Sequence, residues 1–161
     1  HPHRILAAVD PTPKDAELNR EILVLAASAA ALYGAELHLA HAWQLYGEST
    51  LSQSGFVHEA RESFVEMRAK EEAFHERALQ ELIAESGLGD SVWTTHLRSG
   101  TPTNVLTELV EQLRIDLLVL GTVGRTGLAG LVMGNTAERV LEKVSCSVLA
   151  LKPPGFAAQA P

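Results

Sequence analysis

The stretch Asp116–Thr136, which reads DLLVLGTVGRTGLAGLVMGNT, decides the fold of this chain. Four apolar residues follow Asp116, which predicts a buried strand over Asp116–Leu120. A glycine-rich segment comes next, and a helix is predicted from about Thr136 to Val144. A continuous apolar strand that leads through glycines into a helix is typical of an α/β domain with a parallel sheet.

The same alternation of short apolar runs and amphipathic helices extends outward over the rest of the chain. Further strands are predicted at Arg4–Val9, Glu36–Ala42, Ser91–Leu97 and Ser147–Leu151. Further helices are predicted at Lys14–Tyr33, His58–Glu85 and Pro102–Leu113, with a loop at Trp43–Val57. These elements predict one doubly wound α/β domain over residues 1–153, with a mainly parallel five-stranded sheet and a loose tail over residues 154–161.

The predicted helix His58–Glu85 carries large apolar side chains at helical spacing, among them Phe64, Met67 and Phe74. Such a stripe normally faces the interior of a globular domain. We expect it to lie in the core rather than to line a cofactor site.

The glycine-rich segment Gly121–Thr136 is the best candidate for chemistry. Glycines let backbone N–H groups approach a ligand closely, and successive N–H groups can form a concavity that binds anions. The start of the following helix favours phosphate in the same way. The segment has neither the Gly-Lys-Ser/Thr of a P-loop nor the leading G-x-G of a dinucleotide fingerprint. In such sheets ligands bind beyond the carboxyl ends of the strands, where Asp10 and Gly121 both lie.

Gly121, Gly124 and Gly134 stand in the pattern G-x2-G-x9-G after the fourth predicted strand. In this the chain resembles the nucleotide-binding members of the universal stress protein family, which have Ser or Thr where this chain has Asn135 and often His where it has Val123. The resemblance covers nearly the whole chain and implies the Rossmann-like strand order 3-2-1-4-5.

Other segments carry the same resemblance: Ala8-Val9-Asp10 after the first strand, His41 at the end of the second, and Val148–Lys152. The sequence GTVGRTG followed by GNTAE looks most like the second domain of tandem-domain members. We therefore expect a fragment, or a relative, of such a half.

The resemblance implies ATP or AMP as the ligand, with Mg²⁺ accompanying ATP. Asp10 would accept hydrogen bonds from the ribose hydroxyls, and the backbone near Ala42 would meet the adenine. The phosphates and ribose would be approached by the loop residues Gly121, Gly124, Gly134, Asn135 and Thr136. Arg125 is expected, from its charge alone, to pair with a terminal phosphate.

Simpler structural interpretations stand beside these. The glycines could only relieve crowding in a long connection, and Asn135 with Glu138 could form a helix cap. Asp10 before Pro11 could be a plain turn residue. His41 is interpreted as a packed, hydrogen-bonded histidine, with His38 on the same face of its strand, and no histidine spacing favours zinc.

Three functions remain open at this stage. The first is a nucleotide-responsive stress module, the second a nucleotide-free dimerisation or scaffold module, and the third a weak ATPase. No G-x-S-x-G elbow and no readable acid–base pair is present, so catalysis beyond slow phosphate hydrolysis has no support in the sequence.

The amino-acid composition argues against some classes of binding partner. The formal net charge of −7 argues against broad nucleic-acid binding. No apolar run approaches the ~20 residues of a membrane helix and no secretory signal is evident, so we expect no membrane partner and a cytoplasmic location. The resemblance implies subunit pairing through the last strand, Ser147–Leu151, in a homodimer or with the other half of a tandem protein.

Overall fold

The computed structural model describes residues 1–11, 16–45, 58–122 and 134–153. Val123, Gly124, Arg125 and the expected tail at residues 154–161 lie outside the described residues.

Five parallel strands form one sheet within the described residues, in the order β3-β2-β1-β4-β5. The strands are β1 (Arg4–Ala8), β2 (Glu36–Trp43), β3 (Trp93–Ser99), β4 (Leu117–Gly121) and β5 (Ser147–Leu151). The helices are α1 (Ala16–Tyr33), α2 (His58–Glu85), α3 (Pro102–Leu113) and α4 (Asn135–Lys143). The predicted doubly wound fold and its strand order are confirmed.

The helices cover both faces of the sheet, and each face buries its own apolar cluster. Residues of α1 and α2 pack with one face, in a cluster that includes Ile22, Leu23 and Leu79. Residues of α3 and α4 pack with the other, in a cluster that includes Leu109 and Val140. The helix that follows β1 covers one face of the sheet, and the helix that follows β4 covers the other. Because these two strands are neighbours, a crevice is expected at their carboxyl ends.

Local signals explain where the helices begin and end. Pro102 opens α3, with Thr101 as its N-cap, whose side chain accepts a hydrogen bond from the Asn104 backbone N–H. Gly34 follows α1 with a φ of 63°, a left-handed conformation that glycine adopts without strain. No helix within the described residues has both the length and the apolar character needed to cross a membrane.

Some predicted strand boundaries were wrong. β3 runs from Trp93 to Ser99, two residues later than predicted, because its register with β2 extends from Leu37↔Trp93 to Trp43↔Ser99. That pairing also makes Trp43 the last residue of β2 instead of the first residue of a loop. Cross-strand pairing is set by the neighbouring strand, which the local pattern does not reveal.

The expectation that the Met and Phe stripe of α2 lies in the core was also wrong. Met67 is 48% exposed and Phe74 is 57% exposed. His75 contacts β2 near its carboxyl end, and the buried residues Leu79 and Leu82 come after it. The earlier turns of α2 therefore extend past the end of the strand, where the strands that the structure describes do not cover them.

Candidate functional site

The sheet register brings the candidate residues of β1 and β4 to one edge. The pairing between these two strands ends at Ala7 and Val119. Asp10 and Gly121 follow three and two residues later, so both lie beyond or at the carboxyl ends of adjacent strands. This edge is the switch point of the doubly wound sheet.

Asp10 has an exposed side chain and a backbone that is held from α1. Its N–H donates to Asn19 Oδ1 over 3.1 Å, and the Asn19 amide group donates in return to the Asp10 carbonyl. Asn19 itself is only 3% exposed. Sequence reasoning missed Asn19, although one signal was present: it is a polar residue at a helical position between the buried Leu18 and Ile22.

Val9, next to Asp10, is held from the other side by β2. Its N–H donates to the Ala40 carbonyl over 3.0 Å, and its carbonyl lies 3.1 Å from His41 Nδ1. Since a carbonyl can only accept, Nδ1 of His41 donates to it. His41 is 3% exposed, which confirms the interpretation of a packed, hydrogen-bonded histidine.

The other nitrogen of His41 connects the site edge to α2. Nε2 of His41 lies 2.8 Å from His75 Nδ1, and His75 Nε2 lies 3.3 Å from Glu71 Oε1. Burial lowers the pKa of His41, an effect that the Asp10 carboxylate partly opposes and the neighbouring His75 reinforces. Because Nδ1 of His41 carries the proton that it donates to Val9, Nε2 of neutral His41 accepts from His75 Nδ1. Close contacts thus lead from Val9 through His41 and His75 to Glu71 on the exposed flank of α2.

Ala42 lies where β2 continues past its neighbour. The β1–β2 ladder ends at Ala8↔Ala40, whereas β2 pairs with β3 as far as Trp43↔Ser99. Among the described strands, none lies beside the backbone of Ala42 on the side of β1. Trp43, at the end of β2, is buried and stacks on His75 with ring centroids 5.7 Å apart.

Gly121 has a packing reason for being glycine. A Cβ at this position would lie 2.7 Å from Leu18 Cδ2, closer than real contacts allow, and 3.3 Å from Leu18 Cγ, which is tighter than most real contacts. The next residue, Thr122, donates from both its N–H and its hydroxyl to the Leu151 carbonyl, over 2.8 and 3.1 Å. This end of β4 is thus fixed by α1 and β5.

Gly134, Asn135 and Thr136 form the start of α4. Gly134 is the buried N-cap, with φ −61° and ψ 143°, and it supplies no side-chain hydrogen bond to the helix. Asn135 and Thr136 are exposed residues of the first turn. The alternative in which Asn135 caps the helix is therefore wrong, since Asn135 lies inside it. Ala137 packs in the same cluster as Leu120 of β4, which holds this helix start over the sheet.

A second histidine pair lies on the opposite face of β2. His38 Nδ1 is 3.1 Å from Nε2 of His96, which is on β3. The expectation that His38 shares a face with His41 was wrong, because residues three apart on a strand point to opposite sides. Burial lowers the pKa of both His38 and His96.

Comparison with known proteins gives the family. The model of the universal stress protein family matches residues 2–152. This chain belongs to the universal stress protein family. A relative from Haemophilus influenzae, named universal stress protein E homolog, is 33% identical over 157 residues. That match covers 95% of this chain and 48% of the relative, so the chain spans about half the length of this curated family member.

Solved structures with the same fold as this chain were also found. A functionally unknown protein from Pseudomonas aeruginosa PAO1 has a TM-score of 0.70 at 30% identity, covering 96% of this chain and 48% of its own. A universal stress protein in complex with cAMP has a TM-score of 0.61 at 19% identity, covering 93% and 96%. One from Archaeoglobus fulgidus in complex with dAMP has a TM-score of 0.53 at 16% identity, covering 91% and 95%. The last two share the fold with this chain.

Proposed function

We propose that this universal stress protein domain binds an adenine nucleotide, ATP or AMP, at the carboxyl edge of β1 and β4. The observation that carries the proposal is the start of α4, where Gly134 supplies no side-chain cap. The first N–H groups of a helix have no acceptor within the helix, and together with the helix dipole they favour phosphate. This helix start lies over the sheet beside the end of β4.

Two solved structures that share the fold of this chain support an adenine nucleotide in particular. The structures named above hold cAMP and dAMP, and both ligands consist of adenine, a sugar and a phosphate. On this chain, Asn135 and Thr136 would hold phosphate oxygens with their side chains and N–H groups. Asp10 would accept from the ribose, and the backbone of Ala42 would meet the base. Gly121, Gly124 and Arg125 complete the proposed set, and Mg²⁺ would neutralise phosphate charge when ATP is the ligand.

The domain would act as a nucleotide-responsive stress module in the cytoplasm. Nucleotide at this edge would change the surface that a partner meets. Such a domain would respond by binding and releasing nucleotide. This response does not require cleavage of a phosphate bond.

The exposed edge of the sheet favours pairing with a second domain of the same kind. β5 is the last strand of the sheet, and Leu149 on it is 40% exposed. An edge strand offers unpaired N–H and C=O groups to another strand. We propose a homodimer through β5, or the equivalent pairing with the other half of a tandem protein.

Two variants test that pairing. The Ser147 N–H and the Leu151 carbonyl both bond towards β4, so the outward-facing backbone groups of β5 are those of Val148 and Ala150. Ala150→Pro removes an outward donor, and Leu149→Lys places a charge on the edge. Light scattering at high micromolar concentration should give a dimer for the unmodified chain and a monomer for both variants. A monomeric unmodified chain would refute the pairing.

Nucleotide retained through purification tests the binding function. The purified chain is denatured, and the released small molecules are identified by chromatography. ATP or AMP in near-stoichiometric amount supports the proposal. A chain that carries no nucleotide and gives no heat when titrated with ATP, AMP, cAMP and dAMP would refute it and favour the scaffold function.

A further inference from the structure

We propose that Asn19 is a positioning residue of the nucleotide site, which holds Asp10 so that its carboxylate meets the ribose hydroxyls. The inference rests on the proposed function. It concerns a residue of α1 that has no place in the glycine pattern and that acts only through Asp10.

The geometry is specific to an asparagine. Its carbonyl oxygen accepts from the Asp10 N–H over 3.1 Å, and its NH₂ group donates to the carbonyl of the same residue. One amide thus satisfies both backbone groups of one residue. A leucine would offer neither partner, and an aspartate would place a carboxylate oxygen against the Asp10 carbonyl.

The position of Asn19 makes this contact more than a surface hydrogen bond. Its side chain is 3% exposed, in a helix face otherwise occupied by Leu18, Ile22 and Leu23. Burying an amide in apolar surroundings is unfavourable unless its hydrogen bonds are made. The amide is therefore committed to Asp10, whose own side chain is exposed at the site edge.

The residue before Asp10 is held independently. The carbonyl of Val9 accepts from His41, and its N–H donates to Ala40. Two successive residues thus have their backbone fixed from α1 and from β2, and the exposed Asp10 follows the carboxyl end of β1. Fixing a binding group before the ligand arrives increases affinity, because less freedom is lost on binding.

A residue that only stabilises the fold would affect every ligand equally, so the test uses the ribose. Affinities are measured by calorimetry for ATP and for 2′,3′-dideoxy-ATP, which lacks both hydroxyls. The proteins are the unmodified chain, Asn19→Leu, Asp10→Ala and the double variant. Leu23→Ala serves as the control, because Leu23 is fully buried in α1 and makes none of the hydrogen bonds that hold Asp10.

The unmodified chain should prefer ATP over the dideoxy analogue by about tenfold, the scale of one charge-assisted hydrogen bond. Asn19→Leu and Asp10→Ala should each remove that preference and leave dideoxy-ATP within about twofold of its original affinity. The double variant should lose no more than Asp10→Ala alone, since both act through one carboxylate. Leu23→Ala should keep the preference.

Each result that differs from these expectations overturns a different part of the proposal. Equal loss for both ligands in Asn19→Leu, or an Asn19→Leu variant that keeps the preference, overturns the role of Asn19. Equal affinity of the unmodified chain for both ligands leaves nucleotide binding intact and overturns the role of Asp10 and Asn19 together. No binding of either ligand overturns the proposed function itself.

A measurement on the unmodified chain covers the case in which Asn19→Leu does not fold. The side-chain amide signal of Asn19 is followed by nitrogen-15 NMR during both titrations. ATP should shift it and dideoxy-ATP should leave it nearly unchanged, because only ATP engages the carboxylate of Asp10. Identical responses to the two ligands overturn the proposal.

Discussion

The two walls of the proposed site are built in different ways. On the β1 wall, buried side chains hold the backbone: Asn19 binds Asp10, and His41 binds Val9. On the β4 wall, Gly121 is fixed by packing and Gly134 begins a helix without a side-chain cap. The backbone of the β1 wall is therefore fixed by side chains, whereas the β4 wall ends in the N–H groups of a helix start. For the proposed nucleotide site, we expect the β4 wall to contribute most of the affinity and the β1 wall to recognise the sugar.

The largest effect is expected at the start of α4. Gly134→Asp should weaken ATP binding by at least about 100-fold, since the new carboxylate would repel phosphate and occupy the N–H groups itself. The fold should survive, because the φ of −61° suits any L residue and aspartate is a good N-cap.

Gly134→Asn is the matched control for this change. It has the same size and also caps a helix, but it carries no charge, so it should weaken ATP less than the aspartate does. Calorimetry measures both affinities and circular dichroism checks the helix content. An unchanged affinity in Gly134→Asp would remove the β4 wall from the site.

Gly121→Ala should lower stability by ~1–3 kcal/mol, because the added methyl group overpacks the buried contact with Leu18. Urea unfolding of Gly121→Ala, Leu18→Ala and the double variant measures the coupling between the two positions. The double variant should be more stable than the sum of the two losses predicts, since Leu18→Ala vacates the space. Simple additivity would contradict the packing explanation for Gly121.

A smaller effect is expected at Asn135. Asn135→Ala should weaken ATP by ~1 kcal/mol, the scale of one hydrogen bond to a charged group, and should leave adenosine unaffected. The expected difference follows from the position of Asn135, which is exposed in the first turn of α4. Parallel weakening of ATP and adenosine, measured by the same titration, would instead indicate a general disturbance of the helix start.

The smallest effect is a dependence of stability on pH that originates at the β1 wall. The pKa of His41 is lowered in the folded chain, chiefly by burial. Below the ordinary histidine pKa of ~6.5 the unfolded chain takes up a proton that folded His41 does not. The stability that His41 contributes is thus present above pH ~6.5 and is lost as the pH falls towards its folded pKa.

Urea unfolding between pH 7 and pH 5 measures this slope. His41→Asn should make it shallower, by up to ~1.4 kcal/mol per pH unit for one proton. Asp10, His75 and Glu71 are the charged or titratable groups along the His41 chain, and the pKa of His38 and His96 is also lowered, so part of the slope should remain in the variant. An identical slope in both proteins would contradict the assignment to His41.

Much of the fold followed from local pattern. The bounds of α2 and β5 agree with the sequence prediction to the residue, and the resemblance implied the observed strand order. The bounds of β3 were predicted wrongly because β3 lies at the edge of the sheet. Its register is set by pairing with β2 and not by its own apolar run.

The candidate site was only partly predictable for a similar reason. Asp10, Gly121 and Gly134 could be placed at the carboxyl edge, because strand ends in a parallel sheet meet there. The partners that hold the β1 wall could not be predicted. The contact between His41 and His75 depends on the rotation of α2 over the sheet, and that of Asn19 with Asp10 on the angle at which α1 leaves the turn.

Adenine nucleotide is proposed to bind at this one edge, between the two walls. Nitrogen-15 NMR of the labelled chain during titration with ATP tests it most directly. Saturable shifts are expected that are largest at the backbone amides of Asp10, Ala42 and Gly134–Thr136, with little change at His38 and His96, which lie within β2 and β3 before their carboxyl ends. Shifts that centre on His38 and His96, or no saturable shift at all, would contradict it.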